Sequence, residues 1–103
     1  MKESPVHVLL IGAGGRMGKT VLELSGKDPE INIAGQCDLG DAIDAPMKDC
    51  DVAIDFSHAD AIGEICRVAL HHDKPLVIGT TGHSQEQRAI IEEAAHSVPI
   101  VFA

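Results

Sequence analysis

The stretch "LLIGAGGRMGKT", residues 9–20, decides the fold, and it supports two readings that both bind phosphate. Counted from Ala13, the run through Gly18, Lys19 and Thr20 differs by one methyl group from the P-loop pattern G-x-x-x-x-G-K-[ST], which implies a nucleoside triphosphate and magnesium. Counted from Gly12, the same letters place glycines at 12, 15 and 18, a relative of the dinucleotide-binding turn.

Working outward, short apolar runs alternate with helical patterns. "VLLI" (8–11), "INIA" (31–34), "VAI" (52–54), "LVI" (76–78) and "IVF" (100–102) are too short for helices and have the continuous apolar character of buried parallel strands. Between them, Met17, Val21 and Leu24, then Ile62, Ile65, Cys66, Ala69 and Leu70, then Ile90, Ile91, Ala94 and Ala95 recur at helical spacing. Ser57 with Asp60 and Ser84 with Gln87 have capping-box spacing, and Gly26 followed by Pro29 closes the first helix. That first helix has no Ser, Thr or Asp cap, so its open N–H groups suit a bound phosphate. The segment from Leu39 to Cys50 holds only a loop and one helical turn. With right-handed crossovers, these elements predict a Rossmann-like three-layer α/β domain around a parallel five-stranded sheet of order 2-1-3-4-5. The ligand crevice should open where the chain reverses direction across the sheet, above Gly12 and Phe56.

The P-loop reading can use Lys19, Thr20 and, at a strand end, Asp55 as a magnesium carboxylate. Against it stand Ala13 in place of glycine, a chain of 103 residues, and "FSHAD" after Asp55 with neither a switch-like glycine nor a base-reading segment. The dinucleotide reading explains more. Gly12 follows the strand directly and allows a tight turn, Gly15 lets a pyrophosphate approach, and Gly18 lets helix and strand pack closely. Asp38 stands twenty residues after Gly18 at the end of the second strand, where a carboxylate accepts from adenosine ribose hydroxyls. Arg16 in the turn can brace a phosphate. Lys19 and Thr20 then read as solvent-facing first-turn residues.

Composition excludes several classes. The length and the 45% hydrophobic content fit one small folded domain. Sixteen acidic against eight basic residues give a net charge of −8, and Phe56 and Phe102 are the only aromatic residues, so nucleic acid is not an expected partner. Apolar runs of about four residues span no membrane, and the N-terminus has no signal-peptide pattern; a cytoplasmic protein is expected. Cys37, Cys50 and Cys66 lack C-x-x-C pairing and read as small buried hydrophobes. The six histidines, at 7, 58, 71, 72, 83 and 96, show no metal-ligand spacing; no metal site is expected and none is read as an acid or base. His71 and His72 read as the end of a helix, near its negative pole.

"GAGGRMG" (12–18), "VAIDFS" (52–57), "VIGTTG" (77–82) and "IVFA" (100–103) together resemble, in order and spacing, the N-terminal half of the bacterial dihydrodipicolinate reductase family. The resemblance implies an NAD(P)H-dependent oxidoreductase of lysine and diaminopimelate biosynthesis that delivers hydride to a cyclic, imine-type dicarboxylate. It implies that Gly12, Ala13, Gly14, Gly15, Arg16 and Met17 line the pyrophosphate, and that Asp38 meets the ribose. Gly79, Thr80 and Thr81 would then hold the nicotinamide end, Phe56 would lie beside the ring, and Ala103 would offer its backbone to the carboxamide. It further implies a second domain that carries the catalytic histidine and lysine. Residues 1–103 then form the dinucleotide-binding domain and are by themselves inactive. The whole protein would be a homotetramer, and this chain a monomer.

Two departures from the family pattern bear on specificity and local shape. Ala59 replaces a common proline, which predicts a looser turn after Phe56. Leu39 stands where many members carry an arginine for the NADP phosphate, and residues 38–51 hold five aspartates, 38, 41, 44, 49 and 51, against Lys48. That segment lacks calcium-loop spacing, and its charge repels a 2′-phosphate. NADH is therefore expected over NADPH. A stand-alone nicotinamide-binding or sensing module without catalysis is the alternative.

Overall fold

The computed structural model describes residues 5–38 and 40–102. Five parallel strands form one sheet in the order β2-β1-β3-β4-β5: β1 (Val6–Ile11), β2 (Ile31–Cys37), β3 (Val52–Asp55), β4 (Leu76–Ile78) and β5 (Ile100–Phe102). The helices are α1 (Arg16–Ser25), α2 (Asp44–Asp49), α3 (Ile62–His71) and α4 (Gln85–Ala94). All strand pairs are parallel, so the carboxyl ends of the strands share one edge. The single helical turn expected between Leu39 and Cys50 is α2.

The core lies on one face of the sheet. Leu9 and Ile11 of β1, Ala53 of β3, and Leu76 and Ile78 of β4 pack with Met47 of α2, Ile62, Ile65 and Val68 of α3, and Ile91 and Ala94 of α4. Such residues supply most of the folding free energy, at roughly 25 cal/mol for each Å² of apolar surface removed from water. Right-handed crossovers put α1 alone on the opposite face, because β1 to β2 runs against the direction of the later crossovers. Only Gly18 of α1 is buried, while Met17 and Leu24 are exposed.

Three sequence expectations are corrected. The strands are not all buried: β2, an edge strand, is largely exposed and runs on through Gly35 to Cys37, and β5 on the other edge exposes Val101 and Phe102. A register shift opposite Val8 and Leu9 absorbs one extra residue in β2. Ser57 does not cap the segment that follows it. The His58 ring accepts the Asp60 N–H at 3.2 Å instead, and Ser57 turns to Asp55. Nor is the turn after Phe56 loose, because Ala59 is buried and opens a regular 3-10 turn, Ala59–Ala61.

The Ser84 capping box forms in full: Gln87 N–H donates to Ser84 Oγ at 3.1 Å, and Ser84 N–H donates to Gln87 Oε1 at 2.7 Å. All three cysteines are buried free thiols, and burial pushes Cys66 up to about 11, which keeps it protonated and inert. Among the described residues no helix is long and apolar enough to cross a membrane.

Candidate dinucleotide site

The glycine turn joins β1 to α1 at the carboxyl edge of the sheet. Gly12 has φ +87°, a conformation that disfavours any side chain, and a Cβ there would overlap the backbone of Phe56 and Ser57. A Cβ at Gly18 would overlap Gly12 O and Ala13 Cα, so this glycine sets how closely α1 approaches β1. Gly15 differs from both. It is exposed, and a Cβ there would make only an ordinary contact with Gly12 O at 3.5 Å.

The hydrogen bonds divide the turn into a shaping part and an open part. Gly12 and Ala13 N–H groups both donate to Cys37 O (2.7 and 3.2 Å), Gly14 N–H donates to Asp38 Oδ1 (2.8 Å), and Gly15 N–H donates to Gly12 O (3.2 Å). These four donors are spent inside the chain. The next ones, from Arg16 onward, belong to the first turn of α1 and have no acceptor within the helix. Gly15 is the N-cap, no side chain caps the helix, and its first turn contains no acidic residue. This helix terminus is thus open to an anion.

Asp38 directly follows β2 and meets the turn. Its carboxylate rests on Gly14, its backbone N–H donates to Asp41 Oδ2 at 2.8 Å, and Asp41 N–H returns a bond to Asp38 O at 3.0 Å. A cleft of about 310 Å³ opens beside it, lined by Ile11, Asp38, Asp41, Ser57 and Ile65 among others. It opens beside the carboxyl ends of β1 and β3, where Ile11 and Ser57 line it; Gly12 and Phe56 are not among its lining residues. A hollow of about 490 Å³ between Leu22 and Ile33 involves the end of α1 and the start of β2, at the opposite end of those elements from the turn.

On the β4 side, Phe56 lies against Gly79 so closely that a Cβ at 79 would overlap the ring. Thr80 is buried and its hydroxyl pairs with His83 Nε2 at 2.8 Å, whereas Thr81 is exposed. His83 meets the Phe102 ring edge-on, with centroids 5.2 Å apart. Thr80, Thr81, His83, Arg88 and Phe102 line a hollow of about 260 Å³. Leu39 and Ala103 lie outside the described residues.

The structure therefore brings Gly12 to Met17 and Asp38 together, and sets Phe56 on Gly79 beside Thr80. Two further residues belong to the framework of this region: Asp55, which the sequence offered only as a magnesium carboxylate in the P-loop reading, and His83, to which it gave no role. Asp55 is fully buried at the end of β3; its Oδ1 accepts from Ser57 N–H (2.9 Å) and Ser57 Oγ–H (2.5 Å), while Oδ2 has no partner among the described residues. Burial pushes its carboxyl above the usual carboxylate range, against the pull of the Ser57 bonds and of His83. The D-x-S spacing was the available signal for this bond. His83 had none, since only folding sets it against Thr80. The P-loop roles fit poorly, because Asp55 is sealed from solvent and Thr20 donates its hydroxyl back to Arg16 O at 3.1 Å.

The comparisons agree with this geometry. Residues 6–103 match the family model described as "Dihydrodipicolinate reductase, N-terminus". The 4-hydroxy-tetrahydrodipicolinate reductase of Akkermansia muciniphila is 41% identical over 98 residues, covering 95% of this chain and 40% of that protein. Its counterpart from Zymomonas mobilis is 40% identical over 109 residues, covering 99% and 42%. The chain thus spans less than half the length of these curated relatives. A dipicolinate-bound dihydrodipicolinate reductase from Paenisporosarcina sp. TG-14 shares the fold, with a TM-score of 0.73 at 16% identity over 96% of this chain and 47% of that one. With its glycine turn, its 2-1-3-4-5 sheet and its close relatives in agreement, the chain belongs to the dihydrodipicolinate reductase family, whose N-terminal region it matches.

Proposed function

We propose that this chain is the dinucleotide-binding domain of a 4-hydroxy-tetrahydrodipicolinate reductase and that it holds NADH in preference to NADPH. The observation that carries the reading is the Asp38 carboxylate held on Gly14 N–H at 2.8 Å, beside a helix terminus that no side chain caps. The spent donors of Gly12 to Gly15 shape the turn, and the N–H groups of Arg16 and Met17 then face the pyrophosphate, with the Arg16 guanidinium as a second clamp. Asp38 accepts from the adenosine ribose. Phe56 with Gly79, Thr80 and Thr81 borders the nicotinamide, and Ala103 contributes its backbone to the carboxamide.

Bound reduced nicotinamide supplies a hydride, and the residues of this chain orient it. The catalytic acid and the substrate's carboxylate-binding groups fall to the part of the longer relatives that this chain does not span, so we assign the chain alone no turnover. That part also accounts for a tetramer of the whole protein, leaving this chain monomeric. Asp38 and Asp41 crowd the ribose position with negative charge, which repels a 2′-phosphate.

Titration of NADH, NADPH and magnesium-ATP into the purified chain tests the reading. Saturable NADH binding, tighter than NADPH and lost in Gly15→Val, is expected. A side chain at 15 meets little of the protein, so its effect falls on the ligand. Magnesium-ATP binding without a dinucleotide response overturns the assignment, and equal or tighter NADPH binding overturns the preference alone.

A further inference from the structure

Outside the glycine turn, the described residues bring one set of metal-ligating groups together. Asp44 at the start of α2 and His71 and His72 at the end of α3 each offer a ligand atom, all within 4.8 Å of one another. We propose that these three side chains form a binding site for a zinc-class divalent cation, clamping α2 to α3.

The donor set points to the ion. Two imidazole nitrogens and one carboxylate oxygen match a borderline cation such as Zn2+, whereas magnesium and calcium favour oxygen ligands alone. Two of the three ligands already stand at metal-site separation. With bonds of about 2.1 Å, tetrahedral zinc ligands lie about 3.4 Å apart, and His72 Nε2 is 3.1 Å from Asp44 Oδ1. The His72 side chain is only 14% exposed, so packing fixes its position, while Asp44 is 68% exposed. The His71 ring stands edge-on to His72, with centroids 4.8 Å apart, and its exposure leaves it free to swing inward and complete three ligands. Water takes the fourth position.

The surroundings favour a cation. Both histidines lie where the carbonyl end of α3 carries partial negative charge. Arg67, one turn before His71 on α3, is already matched by a two-pronged contact with Glu64 at 2.8 and 3.0 Å. Spacing along the chain hides the set, because Asp44 is 28 residues from His72.

The test is zinc titration of the chelator-treated chain by calorimetry, with thermal unfolding and the visible spectrum of the Co2+ form alongside. One Zn2+ per chain, a raised melting temperature and a tetrahedral Co2+ spectrum are expected, with no response to magnesium. The exposed substitutions His71→Asn and Asp44→Asn should each weaken zinc binding at least about tenfold, and His71→Asn, which breaks no hydrogen bond of the metal-free chain among the described residues, should leave the metal-free melting curve unchanged. Zinc binding that is unaltered in both variants, or absent in the parent chain, overturns the proposal. Neither outcome bears on the dinucleotide reading, which uses different residues.

Discussion

Asp38 Oδ1 accepts the Gly14 N–H at 2.8 Å, which ties the end of β2 to the turn that follows β1. The carboxylate holds the glycine turn in shape, and in the proposed reading it also presents negative charge to the ribose.

Replacing Asp38 separates these two roles. Asp38→Asn retains an acceptor for Gly14 but loses the charge, and it should narrow the difference between NADH and NADPH with little change in stability. Asp38→Ala removes both. A hydrogen bond to a charged group contributes about 1.5–3 kcal/mol, so NADH affinity should fall at least about tenfold. Parallel fluorescence titrations of the two variants check this; an unchanged NADPH-to-NADH ratio in Asp38→Asn argues against electrostatic discrimination.

Gly18→Ala should be costly although alanine favours helices. The new methyl group would overlap Gly12 O and Ala13 Cα, which are backbone and cannot rotate away. A loss of about 1–3 kcal/mol is expected, read from urea unfolding, together with weakened NADH binding as α1 is pushed off β1.

Asp55 should make stability fall as pH rises. Its carboxyl is buried with Oδ2 unpartnered among the described residues, so the folded protein holds that proton more tightly than the unfolded chain does. Its contribution is then fully present below the ordinary carboxylate value, is lost as pH rises from there through the raised folded value, and is level above it. Asp55→Asn keeps an oxygen for Ser57 and should flatten this part of the profile. Urea unfolding of both proteins across the acid range would reveal a slope that persists in the variant if another group is responsible.

Ser84→Ala removes the hydroxyl that accepts the Gln87 N–H at the start of α4 and leaves only the backbone half of the capping box, Ser84 N–H to Gln87 Oε1. The expected cost is about 1 kcal/mol, seen as a lower urea midpoint at constant slope, with Thr80 and its bond to His83 undisturbed.

Much of the molecule was readable along the chain. Apolar runs of three or four residues between helical patterns specified five strands, and the lack of room between Leu39 and Cys50 specified a single helical turn; with the handedness of crossovers, this yields the strand order. These features are local, or follow from chirality. Gly12, Gly18 and the Ser84 box were legible for the same reason, since backbone angles and capping bonds depend on near neighbours.

What folding alone decided involves partners distant in sequence. Continuous apolar runs suggested buried strands throughout, but burial depends on what covers each strand, and β2 and β5 became exposed edges. Ser57 had the spacing of a cap, and its bond to Asp55 is local, but the burial that seals this carboxylate from water comes from the packing of other elements around the end of β3. The contacts of Asp38 with Gly14, Phe56 with Gly79 and Asp44 with His72 join residues 23 to 28 positions apart. Periodicity records which residues share a face of one element. Only packing the elements into layers determines which faces meet, and that step assembled both the glycine turn with its acid and the histidine pair with Asp44.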